Sequence, residues 1–466
     1  MKRILSLLTI FNLSTSWITS VVACNKEKFL GDIWVVMNDG YHDDQSFTEY
    51  VYRGADEFVK KIMDKSDYNA AYKELGEIGE ASLRSAYENV VGGGAKVLVL
   101  SGYSHDAIAK GYFDEVIKKV NGSAVIVDNK TYKNWTSTVG VQYRADISGF
   151  YAGMASIIWS IINDNYNLNN KTLGLATFGG LLPGNQNSVI NYMAGFLSAI
   201  DVWNIIKENQ NNKYHEYKNK LVNLDKYGKL KDWLDNNEFK VLRTQKDPSG
   251  DGDFGWQSGS YTAGDGKDIS NILINQGANI LMPVAGPQTE DALAILKNDS
   301  SKKAKVVGVD VDMSKVYRSY DKLILTSAIK QLTEGGLIAL AHTDIYKDNI
   351  EYQDKAAQYA KDNNIEVILK DENKQNFENK KVNFDKEKGK SWQTKTAWLS
   401  GEATSGESNL VEDYINNAII EMFSKDSLIV MSNYYYEHTM KENPKLSFEL
   451  LKASFTKEMA LKVFQN

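Results

Sequence analysis

Cysteine is almost missing from this chain: Cys24 is the one residue of its kind in 466, so no disulfide can form within the chain. Histidine is scarce as well. His42, His105, His215, His342 and His438 show no spacing suited to a metal. Proline occurs five times while Asn, Lys, Ile and Tyr abound, a bias of AT-rich coding sequence that bears on origin and not on mechanism. There is no surplus of positive charge; the net charge of −6 gives nucleic acid no electrostatic footing. Past the first two dozen residues no apolar run is expected to reach the roughly 18 residues of a membrane span. No repeat of solenoid length is present.

What the chain does have begins at its first residues. Lys2 and Arg3 form a cationic start, residues 4–18 are mostly apolar, and Ser20, Val21, Val22 and Ala23 lead to Cys24. This is the layout of a secretory signal over residues 1–23, too short and too polar in its middle (Asn12, Ser14, Thr15) for a spanning helix. A lone cysteine at the cleavage point resembles the lipidation site of bacterial lipoproteins, with Val21 where leucine is usual. Two acyl chains hold a membrane stably where one does not. The expectation is a protein lipid-anchored at Cys24 on the outer surface of the cell membrane, with a tether over residues 24–32.

The remaining length is too great for one small core and implies two lobes. Strand patterns at 33–37, 96–100, 124–127, 139–143, 172–178, 280–282 and 305–309 alternate with helical patterns at 45–63, 80–91, 106–120, 147–162, 188–200, 269–275 and 289–297. Such alternation predicts an α/β chain with parallel sheets covered by helices on both faces. Residues 207–237, rich in Lys, Asn and Tyr, and 370–408, poor in aliphatics, read as surface elaborations. Trp34 and Trp159 read as core, while Trp135 and Trp256 fall in segments expected to border a cleft.

Open parallel sheets bind ligands beyond the carboxyl ends of their strands. That rule selects Asn38-Asp39-Gly40 through Asp44 after the first strand, then Asp128, Gly286, Asp310 with Asp312, and Lys330. Acids, an amide, a lysine and aromatics facing one cleft suit a neutral polyhydroxylated ligand with an aromatic part. A carboxylate accepts from two hydroxyls at once, and an aromatic ring stacks on a planar heterocycle. Each acid taken alone is equally well a helix N-cap.

At these residues the sequence resembles the basic membrane protein (PnrA-like) family of substrate-binding lipoproteins. The resemblance runs through Asn38-Asp39-Gly40 and Asp44-Gln45-Ser46-Phe47, Gly149 to Gly153, Gly174 with Gly179-Gly180, and Gly195-Phe196. It continues through Gly259-Ser260-Tyr261, Pro283 to Gly286, Gly308 to Asp312, and Leu325 to Lys330, about 300 residues in order. The abundance of Asn and Lys is similar to that of mollicute members. The resemblance implies a two-lobed type I periplasmic-binding-protein fold with the ligand between the lobes. It divides the chain into 33–135 with about 311–330, and 136–310 with about 331–466. It implies a nucleoside ligand, with Phe47 and Tyr261 stacking on the base, and Asp128 together with Asn38, or Asp39 in its place, at its polar edge. Gly286, Asp310 and Lys330 would hold the ribose. Asn38 stands where aspartate is usual, and unlike aspartate it donates as well as accepts, which leaves the base preference open. The family also implies ABC permease and ATPase partners, a monomer, no cofactor, no metal and no catalytic set. Alternatives from other classes are a receptor for a sugar or other small polar solute, and a surface antigen that has lost its ligand.

Asp247 to Asp253 has the early spacing of a calcium loop, but its twelfth position is Ser258 instead of the bidentate glutamate such loops need. Gly92-Gly93-Gly94 lacks the Lys-Ser/Thr of a phosphate loop and reads as a turn.

Overall fold

A computed structural model describes residues 28–37, 41–43, 46–180, 186–248, 255–299, 301–320, 322–371, 381–400, 402–404, 410–441 and 444–465. Cys24, the signal segment, Asn38, Asp39 and most of the calcium-like loop lie outside them.

Short runs of β-branched and aliphatic residues become buried strands, because such side chains pack well on a pleat covered on both faces. The first sheet holds β1 (Lys28–Val36), β2 (Asn69–Lys73), β3 (Val97–Ser101), β4 (Ser123–Val127), β5 (Thr138–Arg144), β11 (Val367–Asp371) and β12 (Lys395–Ser400), in the order β11-β12-β5-β4-β3-β1-β2. The second holds β6 (Thr172–Gly179), β7 (Lys240–Arg243), β8 (Ala278–Val284), β9 (Lys305–Asp310), β10 (Ile324–Ile329) and β13 (Glu402–Thr404), in the order β13-β10-β9-β8-β6-β7. Pairing is parallel except for β11 on β12 and β13 on β10. Each sheet therefore repeats one doubly wound plan: its first five strands lie in the order 2-1-3-4-5, with a switch point beside the first strand.

Among the described residues the chain passes between the lobes three times. It leaves β5 for the Ala145–Ile162 helix, leaves β10 for the Leu332–Ala341 helix, and steps from β12 to β13. This is the type I periplasmic-binding-protein arrangement. The sheet memberships correct the expected boundaries. β10 lies in the second sheet, where Ser327 pairs with Gly308, although residues 311–330 were expected with the first lobe. β5, placed by sequence beyond the boundary at 136, pairs with β4. Residues 370–408 are more than decoration: β12 inserts between β11 and β5, and Trp392 and Trp398 are buried. Residues 207–237 fold as two helices, Asn212–Val222 and Lys229–Asp235, and bury Leu221, Leu230, Trp233 and Leu234.

Two helices, Ala145–Ile162 and Gln186–Glu208, contain stretches long and apolar enough to cross a membrane, contrary to expectation, yet both are almost wholly buried. They pack on each other so closely that a Cβ at Gly195 would strike the Asp146 carbonyl, and one at Gly149 the Tyr192 carbonyl. The helices Asp413–Met422, Lys425–Lys441 and Ala453–Val463 then cover this pair. Tyr151 donates to the Phe423 carbonyl at 2.8 Å, and Tyr436 donates to the Tyr143 carbonyl at 3.0 Å. Where the chain first crosses, Arg144 and Asp146 are fully buried. Burial pushes the Asp146 carboxyl up to about 6 against the pull of Arg144 and Ser432.

The helix expected over 106–120 is broken into Ser104–Ala107 and Tyr112–Lys118. Gly111 between them has φ of 73°, and the Trp135 indole sits where its Cβ would be. Trp135 and Trp256 are thus core residues and not cleft borders. His105, expected near the cleft mouth, is fully buried with its Nδ1 2.7 Å from the Tyr87 hydroxyl, and burial lowers its pKa to about 3.

Candidate functional site

Three of the residues selected by the strand-end rule meet. Asp128 follows β4 of the first sheet, Asp310 ends β9 and Lys330 follows β10 of the second. The Lys330 Nζ lies 2.9 Å from Asp128 Oδ2 and 3.0 Å from Asp310 Oδ1, so one ammonium bridges the two lobes. Asp128 and Asp310 take left-handed backbone, φ 62° and 69°, a conformation costly for most residues but more tolerable for Asp.

The Gln186–Glu208 helix supplies two partners that sequence reasoning missed. Ser188 and Tyr192 are one turn apart on its first face. Ser188 donates through Oγ to the Asp128 carbonyl at 3.3 Å and accepts from Lys330 at 3.4 Å. The Tyr192 hydroxyl is 3.2 Å from Asp310 Oδ1 and also 3.2 Å from the Asp310 amide. Lys330 stands 5.0 Å from the Tyr192 ring centre and 6.0 Å from that of Phe47, within reach of cation–π attraction. The ammonium thus directs its three protons to Asp128, Asp310 and Ser188.

Electrostatics follow from burial. Desolvation pushes the Asp128 carboxyl up to about 6, with Lys330 pulling it down and Asp310 adding repulsion. Burial works against the Lys330 charge too, but the two carboxylates outweigh it and hold its pKa above the ordinary value. Burial, then Asp310 and Asp128, raise the Tyr192 phenol well above its usual range, so it stays protonated and donates.

Phe47 opens the Phe47–Glu57 helix, which is fixed against the Leu332–Ala341 helix. Thr333 donates to the Tyr50 carbonyl at 3.0 Å, and a Cβ at Gly54 would press on the Thr333 carbonyl. A cavity of about 460 Å³ runs along this helix, lined by Tyr50, Arg53, Glu57, Asp310, Lys330 and Glu334 among others but not by Phe47, Tyr261 or Gly286. Its volume falls in the range of small-molecule sites.

Tyr261 and Gly286 belong to a second cluster. The loop carrying Tyr261 is held by Gln288, whose Nε2 donates to the Ser260 carbonyl at 2.8 Å and to that of Thr262 at 3.2 Å. Gly180 lies against the Tyr261 ring, where any side chain would collide. Tyr103 of the first lobe lies 6.0 Å away, ring centre to ring centre. Gly286, with φ of 55°, forms the turn from β8 into the Gln288–Asn298 helix. Asp312, a candidate at its strand end, takes the plainer role: it caps the Met313–Val316 helix by accepting from the Ser314 amide. Tyr103 follows β3 by two residues, so the strand-end rule applied to that strand would have found it. Ser188 and Tyr192 carried no such signal, because a serine and a tyrosine in an apolar helix read as core.

Two sheets of one repeated order and three crossings among the described residues, with a polar cluster between the lobes, define the class by fold, the two-lobed type I periplasmic-binding-protein fold. No family model matches the chain. It is 22% identical over 377 residues to "Uncharacterized lipoprotein MG040" of Mycoplasma genitalium, covering 67% of this chain and 63% of the relative. The chain thus spans less than two thirds of the length of that curated relative. Among solved structures it is similar to an ABC transporter solute-binding protein from Aeropyrum pernix K1 (TM-score 0.46, 12% identity, 93% of this chain and 90% of that one). It is also similar to LsrB from Clostridium saccharobutylicum in complex with AI-2 (TM-score 0.44, 10% identity, 83% of this chain and 98% of that one).

Proposed function

We propose that this chain is the solute-capturing lipoprotein of an ABC importer, of the basic membrane protein (PnrA-like) family, anchored outside the cell through Cys24. Its ligand is a nucleoside, a purine ribonucleoside foremost. The observation that carries the reading is the Asp128–Lys330–Asp310 bridge, which joins the lobes at their strand ends beside the Phe47 ring. Similarity to a mycoplasma lipoprotein supports the anchored part of the reading.

In this reading the base stacks on Phe47 and Tyr261, and its polar edge meets Asp128 together with Asn38 or Asp39. The ribose lies by Gly286, with its hydroxyls donating to Asp310. A ribose oxygen that accepts from Lys330 replaces the long contact to the Ser188 carbonyl, which costs little. Base stacking contributes roughly 1–3 kcal/mol per base and a charged hydrogen bond roughly 1.5–3 kcal/mol. Two faces and the ribose contacts together exceed the roughly 8 kcal/mol of a micromolar complex. Permease and ATPase subunits take the solute onward, and no bond in the ligand is broken.

The test is calorimetric titration of residues 25–466, unfolded and refolded to strip carried-over ligand, with adenosine, guanosine, inosine, cytidine, uridine and ribose. Micromolar or tighter binding of a nucleoside is expected. Binding of ribose but no nucleoside would make the site a sugar receptor. A folded protein that binds none of the six would remove the nucleoside assignment.

A further inference from the structure

Asp310 is asymmetric. Its Oδ1 receives two donors, the Lys330 ammonium at 3.0 Å and the Tyr192 hydroxyl at 3.2 Å. Its Oδ2 has no hydrogen bond among the described residues, and the residue lines the 460 Å³ cavity. The same phenol accepts from the Asp310 amide at 3.2 Å. Tyr192 therefore grips this left-handed residue at two points, side chain and backbone, and fixes the plane of the carboxylate. Tyr192 is itself enclosed. It is fully buried, and the carbonyl of its own residue lies against Gly149 of the neighbouring helix.

We propose that Tyr192 is a positioning residue: it commits one oxygen of Asp310 to the protein and presents the other to the ligand, which makes the cleft select a sugar that keeps the hydroxyl facing that oxygen. The proposal rests on the nucleoside reading above. Without the phenol, Oδ1 keeps only Lys330, and the Asp310 amide loses its acceptor. The carboxylate is then free to rotate about its contact with the ammonium, a point charge that fixes no carboxylate plane, and Oδ2 is no longer held toward the ligand.

Titration of Tyr192→Phe with a ribonucleoside and its 2′-deoxy and 3′-deoxy forms tests this, with thermal melting to verify folding. In the wild type one deoxy form should bind about tenfold more weakly than the ribonucleoside, the scale of one charge-assisted hydrogen bond. The two deoxy forms should lose affinity unequally, since a single carboxylate oxygen serves the diol. In Tyr192→Phe ribonucleoside affinity should fall about tenfold while the weaker deoxy form changes less than about twofold, so the discrimination collapses. An equal loss for all ligands would mean a packing role and overturn the proposal. Unchanged discrimination in Tyr192→Phe would overturn it too. Should the variant not fold, equal losses for the two deoxy forms in the wild type would overturn it, and unequal losses support it. A wild type that binds none of these compounds sinks the nucleoside reading itself, and this proposal with it.

Discussion

Two buried aspartates sit near places where the chain passes between lobes, and burial pushes each carboxyl up to about 6. Asp128 faces Lys330, which also touches Asp310, a residue that opens on a cavity. Asp146 is coupled to Arg144 beneath the Lys425–Lys441 helix, whose Tyr436 ring lies 5.8 Å from the guanidinium. Burial acts on the two carboxyls alike, but it lowers the pKa of Arg144 while the carboxylates hold that of Lys330 above its ordinary value; access differs too. Charges sealed in a core cannot exchange partners, so their effect is on stability. Charges beside a cavity can trade a protein contact for a ligand contact at little cost, as the proposed binding requires.

The sharpest break in the comparison comes from removing the sealed acid. Asp146→Ala leaves Arg144 buried without its countercharge and should cost about 3–5 kcal/mol in urea unfolding. Asp128→Ala should cost clearly less, since Lys330 keeps Asp310 and Ser188. Equal costs would make the cleft group as structural as the core group. Next in size, Asp310→Ala should weaken nucleoside binding about a hundredfold, the upper scale of a charged hydrogen bond, while the melting temperature moves by only a few degrees. A comparable loss of stability would erase the distinction.

The smallest effect is in pH. The folded Asp128 carboxyl titrates near 6, above its ordinary 3.8. A raised folded pKa means that its contribution to stability is complete below 3.8 and is lost as pH rises through 6. Calorimetric melting of wild type against Asp128→Asn should therefore show wild type gaining on the variant by a few degrees between pH 7.5 and 4. The opposite slope would mean that Lys330, and not burial, governs this carboxyl.

Much of this was legible in the sequence, for a physical reason. Short apolar strands such as 124–127 and 305–309 announce themselves, and a parallel sheet puts candidate ligand-facing positions directly after its strands, so Asp128, Asp310 and Lys330 could be named together. β2, with the sequence NAAYK, was missed because an edge strand needs no apolar run. β12 was missed because its buried residues lie in a lysine-rich stretch. The paired glycines at 149, 153 and 195 stood out as motif, but only the structure gives their reason, the close approach of two apolar helices. The same burial explains why those helices satisfy a membrane criterion without needing a membrane. Tyr192 was hidden inside one of them, since a tyrosine hydroxyl aimed at a strand end looks in sequence like one more core aromatic.

The most direct measurement is a crystal structure of residues 25–466 grown with saturating inosine or guanosine. The account predicts the base between Phe47 and Tyr261, and a ribose hydroxyl within hydrogen-bonding distance of Asp310 Oδ2. A cleft left empty at saturation, or a nucleoside seated elsewhere on the surface, would contradict it.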